Sequence, residues 1–151
     1  MPQLSLLTPL GDLTLSEDAG AIVSLDWGRS SHQEATPLLT AARTQLQDYF
    51  DGTRTSFDLP LAPHGTAFQQ RVWAALTTIP HGQTWSYAQL ARAVGSAARA
   101  VGQANGRNPI PIIIPCHRVV GADGALGGYS GEGGPDTKRF LLALESRNLF
   151  T

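Results

Sequence analysis

The chain has one cysteine, Cys116, and it stands in the run Pro115-Cys116-His117-Arg118. Those residue types in that order can activate sulfur. The thiolate is the nucleophilic form, and an adjacent proton acceptor or cation makes it available. His117 offers the first and Arg118 the second. The Ile-rich residues 110–114 work the other way, because burial raises a thiol's pKa. Neighbouring side chains on an extended segment point apart, so His117 reaches Cys116 only through a water or a bend. The imidazole then needs a third group to orient it. Glu145 is the one carboxylate of the second half that falls on a helix with a good apolar face; its competing reading is an ordinary solvated glutamate. A lone buried cysteine is in general more often an inert small hydrophobe than a nucleophile. With no second cysteine there can be no internal disulfide, and four scattered histidines do not make a cysteine-rich zinc site. No metal and no cofactor is expected.

Several elements must hold this constellation. Asn108-Pro109-Ile110-Pro111 leads into the Ile run, and three prolines between 109 and 115 predict an extended, buried, rigid segment. Beyond Cys116, residues 121–134 contain seven of the sixteen glycines, with Tyr129 and Ser130 among them. Such a loop can fold over a ligand and offer it backbone N–H groups, but it lacks the Lys-Ser/Thr of a phosphate loop. Upstream, Thr66 caps a helix carrying Phe68, Val72, Ala75, Leu76 and Ile79 on one face. Ser86 and Gln89 form a capping box for a short helix with Tyr87 at its start, ending at Gly95. Ser96 is the expected cap of another, running to Asn105-Gly106. Two short helices around a Gly-containing turn have the outline of a helix-turn-helix. The second bears one charge, Arg99, among small residues that include Ala98 and Gly102, with Gln103 further along. Such a smooth helix can sit deep in a groove while one long arginine reaches the bases. A tightly packed core helix with a snorkelling arginine has the same sequence. A final helix over 137–145 completes this half.

The 151 residues suffice for one ordinary domain or two small ones, and 42% hydrophobic composition rules out disorder. Apolar runs are far shorter than the roughly 20 residues of a spanning helix, and no basic-then-apolar leader opens the chain. A cytoplasmic protein is expected. Cut near Pro63, the net charge of −1 resolves into two opposed halves. Residues 1–62 hold eight acids against three arginines, and residues 63–151 hold eight bases against four acids. No acid occurs between Asp58 and Asp123, where five arginines do. That balance suits a surface facing phosphates, although compositional drift toward arginine would give it too. The first half shows no chemistry. Alternating or apolar runs at 4–7, 13–15 and 21–27 read as a three-stranded meander. Thr36-Pro37 opens a helix to Phe50, and a last strand is expected at 55–59 before the linker 60–65. The whole is an α+β chain, with a βββαβ domain over 1–62 and a mostly helical one over 63–151.

Pro115-Cys116-His117-Arg118-Val119, preceded by Asn108-Pro109 and by Arg99-Ala100-Val101-Gly102, closely resembles the active-site signature of the O6-alkylguanine-DNA alkyltransferases. The resemblance is strong over residues 86–145 and extends back to about Thr66; the first half fits the family's RNase H-like domain by size and element order. It implies a direct-reversal repair protein that flips O6-alkylguanine, and also O4-alkylthymine, out of duplex DNA. Cys116 would take the alkyl group irreversibly, in a single turnover. His117 would raise the thiolate through a water, Glu145 would hold the imidazole and Asn108 would brace the network. Tyr87 would donate to the departing guanine. Arg99 would fill the vacated stack, on a helix whose Ala98, Gly102 and Gln103 lie at the DNA. Val119, Tyr129 and Ser130 would line the base pocket. The resemblance implies a monomer and leaves cooperativity on DNA open. The turn Val94-Gly95-Ser96 is about two residues shorter than the family's usual one, and the loop 131–136 is longer by a similar amount. No cysteine stands in the first half, so no zinc site is expected there. A non-catalytic relative that binds alkylated DNA and recruits repair factors is the main alternative, and such proteins replace the reactive cysteine. A helix-turn-helix regulator and a multiple-turnover cysteine hydrolase are the remaining rivals.

Overall fold

A computed structural model describes residues 1–122, 124 and 134–148. The chain divides into two compact units, Met1–His64 and Gly65–Thr151.

In the first unit, three antiparallel strands pair in chain order: β1 (Gln3–Thr8), β2 (Gly11–Asp18) and β3 (Ala21–Trp27). The register Leu4↔Leu15, Leu6↔Leu13 and Leu15↔Leu25 puts the leucines on one face. The helix α1 (Pro37–Phe50) supplies Leu39, Ala42, Leu46 and Tyr49 to the core, all fully buried. Each such leucine contributes about 1.5–3 kcal/mol by leaving water. Thr36 caps α1 by accepting from the Leu39 N–H, with Pro37 in the first turn, as the sequence predicts. The expected strand at 55–59 is irregular. Its place is taken by a single parallel bridge, in which the Ile22 N–H donates to Pro60 O and the Ala62 N–H to Ile22 O, both at 2.8 Å. Prolines 60 and 63 bracket that bridge, and a proline has no N–H with which to extend a ladder.

The second unit opens with α2 (Ala67–Leu76), whose capping box joins Thr66 and Gln69. Gly65 precedes it where a Cβ would stand 2.4 Å from the Trp73 ring, so only glycine lets the chain pass. A two-residue strand, β4 (Trp85–Ser86), runs into α3 (Tyr87–Val94) through the Ser86–Gln89 box. Gly95 ends α3 in the left-handed region at φ 70°, and the Ser96 N–H reaches back to Ala91 O at 2.9 Å. Arg71 donates to the end carbonyl of Val94, which suits a cation at a helix C-terminus. The helix α4 (Ala98–Gly106) is preceded by Ala97, without a side-chain cap bond. The expected cap Ser96 thus lies one residue before the observed N-cap, and its backbone N–H serves the end of α3.

The segment expected to be extended is buried but folded. The Ile113 N–H donates to Pro111 O at 2.9 Å, a γ-turn around Ile112, whose φ is +73°. The Cys116 N–H donates to Ile114 O at 2.8 Å, a second γ-turn around Pro115. Cys116, His117 and Arg118 then form one 3-10 turn before the strand β5 (Val119–Val120), which pairs in parallel with β4. The helix α5 (Pro135–Asn148) starts two residues before the expected position. Among the described residues, no helix is long and apolar enough to cross a membrane.

Candidate active site

The two γ-turns deliver Cys116 into a buried position, 4% exposed. Burial pushes its thiol up to about 11, against a hydrogen bond from Asn108, the charge of Lys138 and the N–H groups of Cys116 and His117. Burial therefore favours the neutral thiol over the thiolate.

A proton-accepting ring follows it in the chain. The 3-10 turn bends His117 away from an extended path, and its Nε2 lies 2.7 Å from Glu145 Oε2 on α5. Both side chains are fully buried. His117 Nδ1 has no partner among the described residues, so it is the ring nitrogen left for a water or a proton. Burial pushes the imidazole down, against the hydrogen bond and charge of Glu145, and neutral His117 is competent to accept a proton. Burial by itself would push the Glu145 carboxyl up. The bonds and charges of His117 and Arg118 overcome that and hold it well below the usual carboxylate range.

Arg118 does not act on the thiol as the sequence suggests. Its Nε and Nη2 grip both oxygens of Glu145, at 2.8 and 2.9 Å, and its Nη1 donates to Ile79 O at 2.6 Å. A bidentate pair of this kind fixes the carboxylate in plane, and the carboxylate fixes the imidazole. Arg118 is thereby withdrawn from the acid-free arginine surface, whereas Arg71, Arg92, Arg99 and Arg107 remain exposed. His81, just beyond α2, lies within electrostatic reach of Glu145, Arg118 and His117 and is pushed down chiefly by burial.

Asn108 donates to Ile114 O and accepts from the Ile110 N–H, each at 2.9 Å, so it holds the γ-turn segment beneath Cys116. Tyr87 is brought to the site by the β4–β5 ladder, in which Trp85 pairs with Val119. Two-residue strands carry no periodicity, so the sequence gives no sign of this pairing. Burial and the Cys116 charge both push the phenol up, keeping it a donor. Gly102 on α4 faces Tyr87, where a Cβ would come 3.7 Å from the ring. Ala98, Arg99 and Gln103 lie exposed on the same helix. Val119 is buried. Tyr129 and Ser130 fall outside the described residues, as do positions 131–133 of the loop 131–136.

Sequence reasoning passes over Lys138, the only lysine in the chain. It is fully buried on α5 with Nζ 5.9 Å from the Tyr87 ring centroid. Burial pushes its ammonium down, opposed by Cys116. A solitary lysine in an arginine-rich chain is the available signal, since lysine and arginine are not interchangeable and lysine is the one whose pKa shifts readily on burial. Asn105 is also buried, its Nδ2 donating to Cys116 O at 3.3 Å. Among the described residues, no three His, Cys, Asp or Glu side chains gather as a metal-binding group.

Comparison with known proteins matches two family models. Residues 5–63 match the ribonuclease-like domain of 6-O-methylguanine DNA methyltransferase, and residues 67–147 its DNA-binding domain. A methylated-DNA–protein-cysteine methyltransferase of Bacillus subtilis, described as constitutive, is 48% identical, with 91% of each chain covered. The protein of that name from Mycobacterium tuberculosis is 48% identical over 91% of this chain and 88% of its own. A crystal structure of M. tuberculosis OGT in complex with DNA superposes with a TM-score of 0.88 at 45% identity, covering 98% of this chain and 94% of that one.

Proposed function

The chain belongs to the 6-O-methylguanine DNA methyltransferase family, and from that premise we propose that Cys116 is the acceptor and the residues around it divide the chemistry as follows. The protein is a DNA-repair enzyme that transfers an alkyl group from damaged DNA to its own cysteine, once. The carrying observation is geometric: a buried cysteine is followed by a buried imidazole whose Nε2 is locked by the Glu145–Arg118 pair, while its Nδ1 has no partner among the described residues. His117 Nδ1 takes the thiol proton through a water. Sγ attacks the carbon bound to guanine O6, the S–C bond forms and the C–O6 bond breaks. Tyr87 gives a proton to the leaving purine, so guanine departs neutral; the proton held on His117 is released to solvent and solvent returns one to Tyr87, so no net proton is taken up. A thioether does not hydrolyse, which makes the reaction single-turnover.

Alkylguanine cannot reach a buried thiol from within the stack. Flipping opens that route, and Arg99, exposed on α4, fills the space the base leaves. Ala98, Gly102 and Gln103 let the helix approach, and Val119, Tyr129 and Ser130 line the base pocket. O4-alkylthymine presents the same leaving oxygen. The cytoplasm, where a lone thiol stays reduced, is the compartment this chemistry suits. The presence of Cys116 disfavours the non-catalytic reading. Intact-protein mass spectrometry tests the proposal. With a duplex containing one O6-methylguanine, the protein should gain one methylene unit at Cys116 and saturate at one per chain, and Cys116→Ser should gain none. A protein that binds the duplex without gaining mass would defeat it.

A further inference from the structure

Asn105 has no part in the steps above, yet its side chain is 1% exposed. Its Nδ2 donates to the Cys116 carbonyl, which belongs to the peptide joining the nucleophile to His117. The opposite amide orientation would set two carbonyl oxygens against each other, so chemistry fixes this one. Asn105 Oδ1 is left without a partner among the described residues. A buried acceptor without a bond costs stability, which a leucine of similar size would not. The Cys116 carbonyl does not depend on Asn105 either, because the Val119 N–H also donates to it. Stability alone therefore gives no reason for an amide at 105.

Its position gives one. Asn105 is on α4 with Arg99. Trp73 Nε1 donates to the neighbouring Ala104 O at 2.8 Å, fastening α4 to α2. Asn108, just past the helix end, holds Ile114 O, which also takes the Cys116 N–H. Two asparagines from the end of the Arg99-bearing helix thus hold carbonyls on either side of the nucleophile.

Building on the alkyl-transfer reading, we propose that Asn105 is a positioning residue, holding the Cys116–His117 peptide to α4 so that thiol and imidazole keep their mutual orientation when that helix engages DNA. Small misplacements of reacting groups are costly in rate. The test compares single-turnover transfer to the parent protein, Asn105→Leu and Asn105→Asp, using free O6-benzylguanine and an O6-methylguanine duplex, with thermal melts of each. Asn105→Leu should keep the parent's melting temperature to within about 3 °C, since it removes an unsatisfied acceptor. It should slow transfer about tenfold on the free base and more on the duplex. Asn105→Asp loses the donor and brings an anion near the sulfur, so its pH–rate profile should move to higher pH. Parent-like rates in Asn105→Leu, a large drop in its melting temperature, or an unmoved profile in Asn105→Asp would each overturn the proposal. A parent protein that gains no alkyl group would defeat the functional reading, and this inference with it.

Discussion

Replacing Glu145 by glutamine removes one negative charge and almost no volume, and it strands Arg118. The guanidinium side chain is 8% exposed and spends two of its three contacts on that carboxylate. Breaking a buried ion pair from one side costs about 3–5 kcal/mol, because the survivor is an uncompensated charge out of water. For a chain of about 150 residues each kcal/mol shifts the melting temperature by roughly 2–4 °C, so Glu145→Gln should melt about 6–20 °C below the parent. Arg118→Met takes the guanidinium away from buried Glu145 in turn and should cost a similar amount. The double variant strands no charge, although Ile79 O loses its donor. It should be more stable than the sum of the singles by about 2–3 kcal/mol. Thermal melts of the four proteins at pH 7, followed by circular dichroism, measure the cycle. Strict additivity, or a Glu145→Gln variant melting within about 2 °C of the parent, would refute the account of Glu145 and Arg118 as one buried unit.

Stability should fall on both sides of neutrality. Below about pH 6.5 the unfolded chain protonates its histidine before buried His117 does, and below about pH 4.5 it protonates its carboxyl before Glu145 does, so acid costs stability in two steps. Above about pH 9 the unfolded thiol ionises while buried Cys116 waits until about 11, so alkali costs stability too, and melts of Cys116→Ser should lack that alkaline component. Arg99→Ala should slow repair of an alkylated duplex at least tenfold while leaving reaction with the free alkylated base within about twofold, because only the duplex requires the base to be flipped; equal losses on both substrates would remove Arg99 from that role. At Ile112 the usual order of substitutions should invert. Both Ala and Gly lose the buried side chain, at a cost of about 2–5 kcal/mol, but the positive φ favours glycine, so Ile112→Gly should melt above Ile112→Ala.

Local chemistry determined much of this protein from its sequence. Thr36 with Pro37, Ser86 with Gln89, and Gly95 mark helix ends because capping is settled within three or four residues. The leucine alternation of the first unit and the helical spacing of α1 and α2 are likewise short-range. The Pro-Cys-His-Arg run with its upstream arginine helix pointed to the family, and Glu145 was already the candidate third member. Tertiary structure decided what those residues do to one another. Whether Glu145 is solvated or buried depends on Arg118, 27 positions away, and only the folded chain turns that arginine from thiol activator into carboxylate clamp. The pairing of Trp85 with Val119 brings Tyr87 to the thiol through strands too short to carry a periodic signal. Proline content predicted rigidity for residues 109–115 but not the two γ-turns, since backbone turns there answer to what the packed isoleucines and Asn108 allow. Asn105 reads only as a helix end and Lys138 only as a charge, yet both are buried, Asn105 against the Cys116 carbonyl and Lys138 within electrostatic reach of Cys116. Desolvation and hydrogen-bond partners are properties of the surroundings of a residue. Those surroundings are assembled from distant parts of the chain, where sequence spacing alone carries no distance.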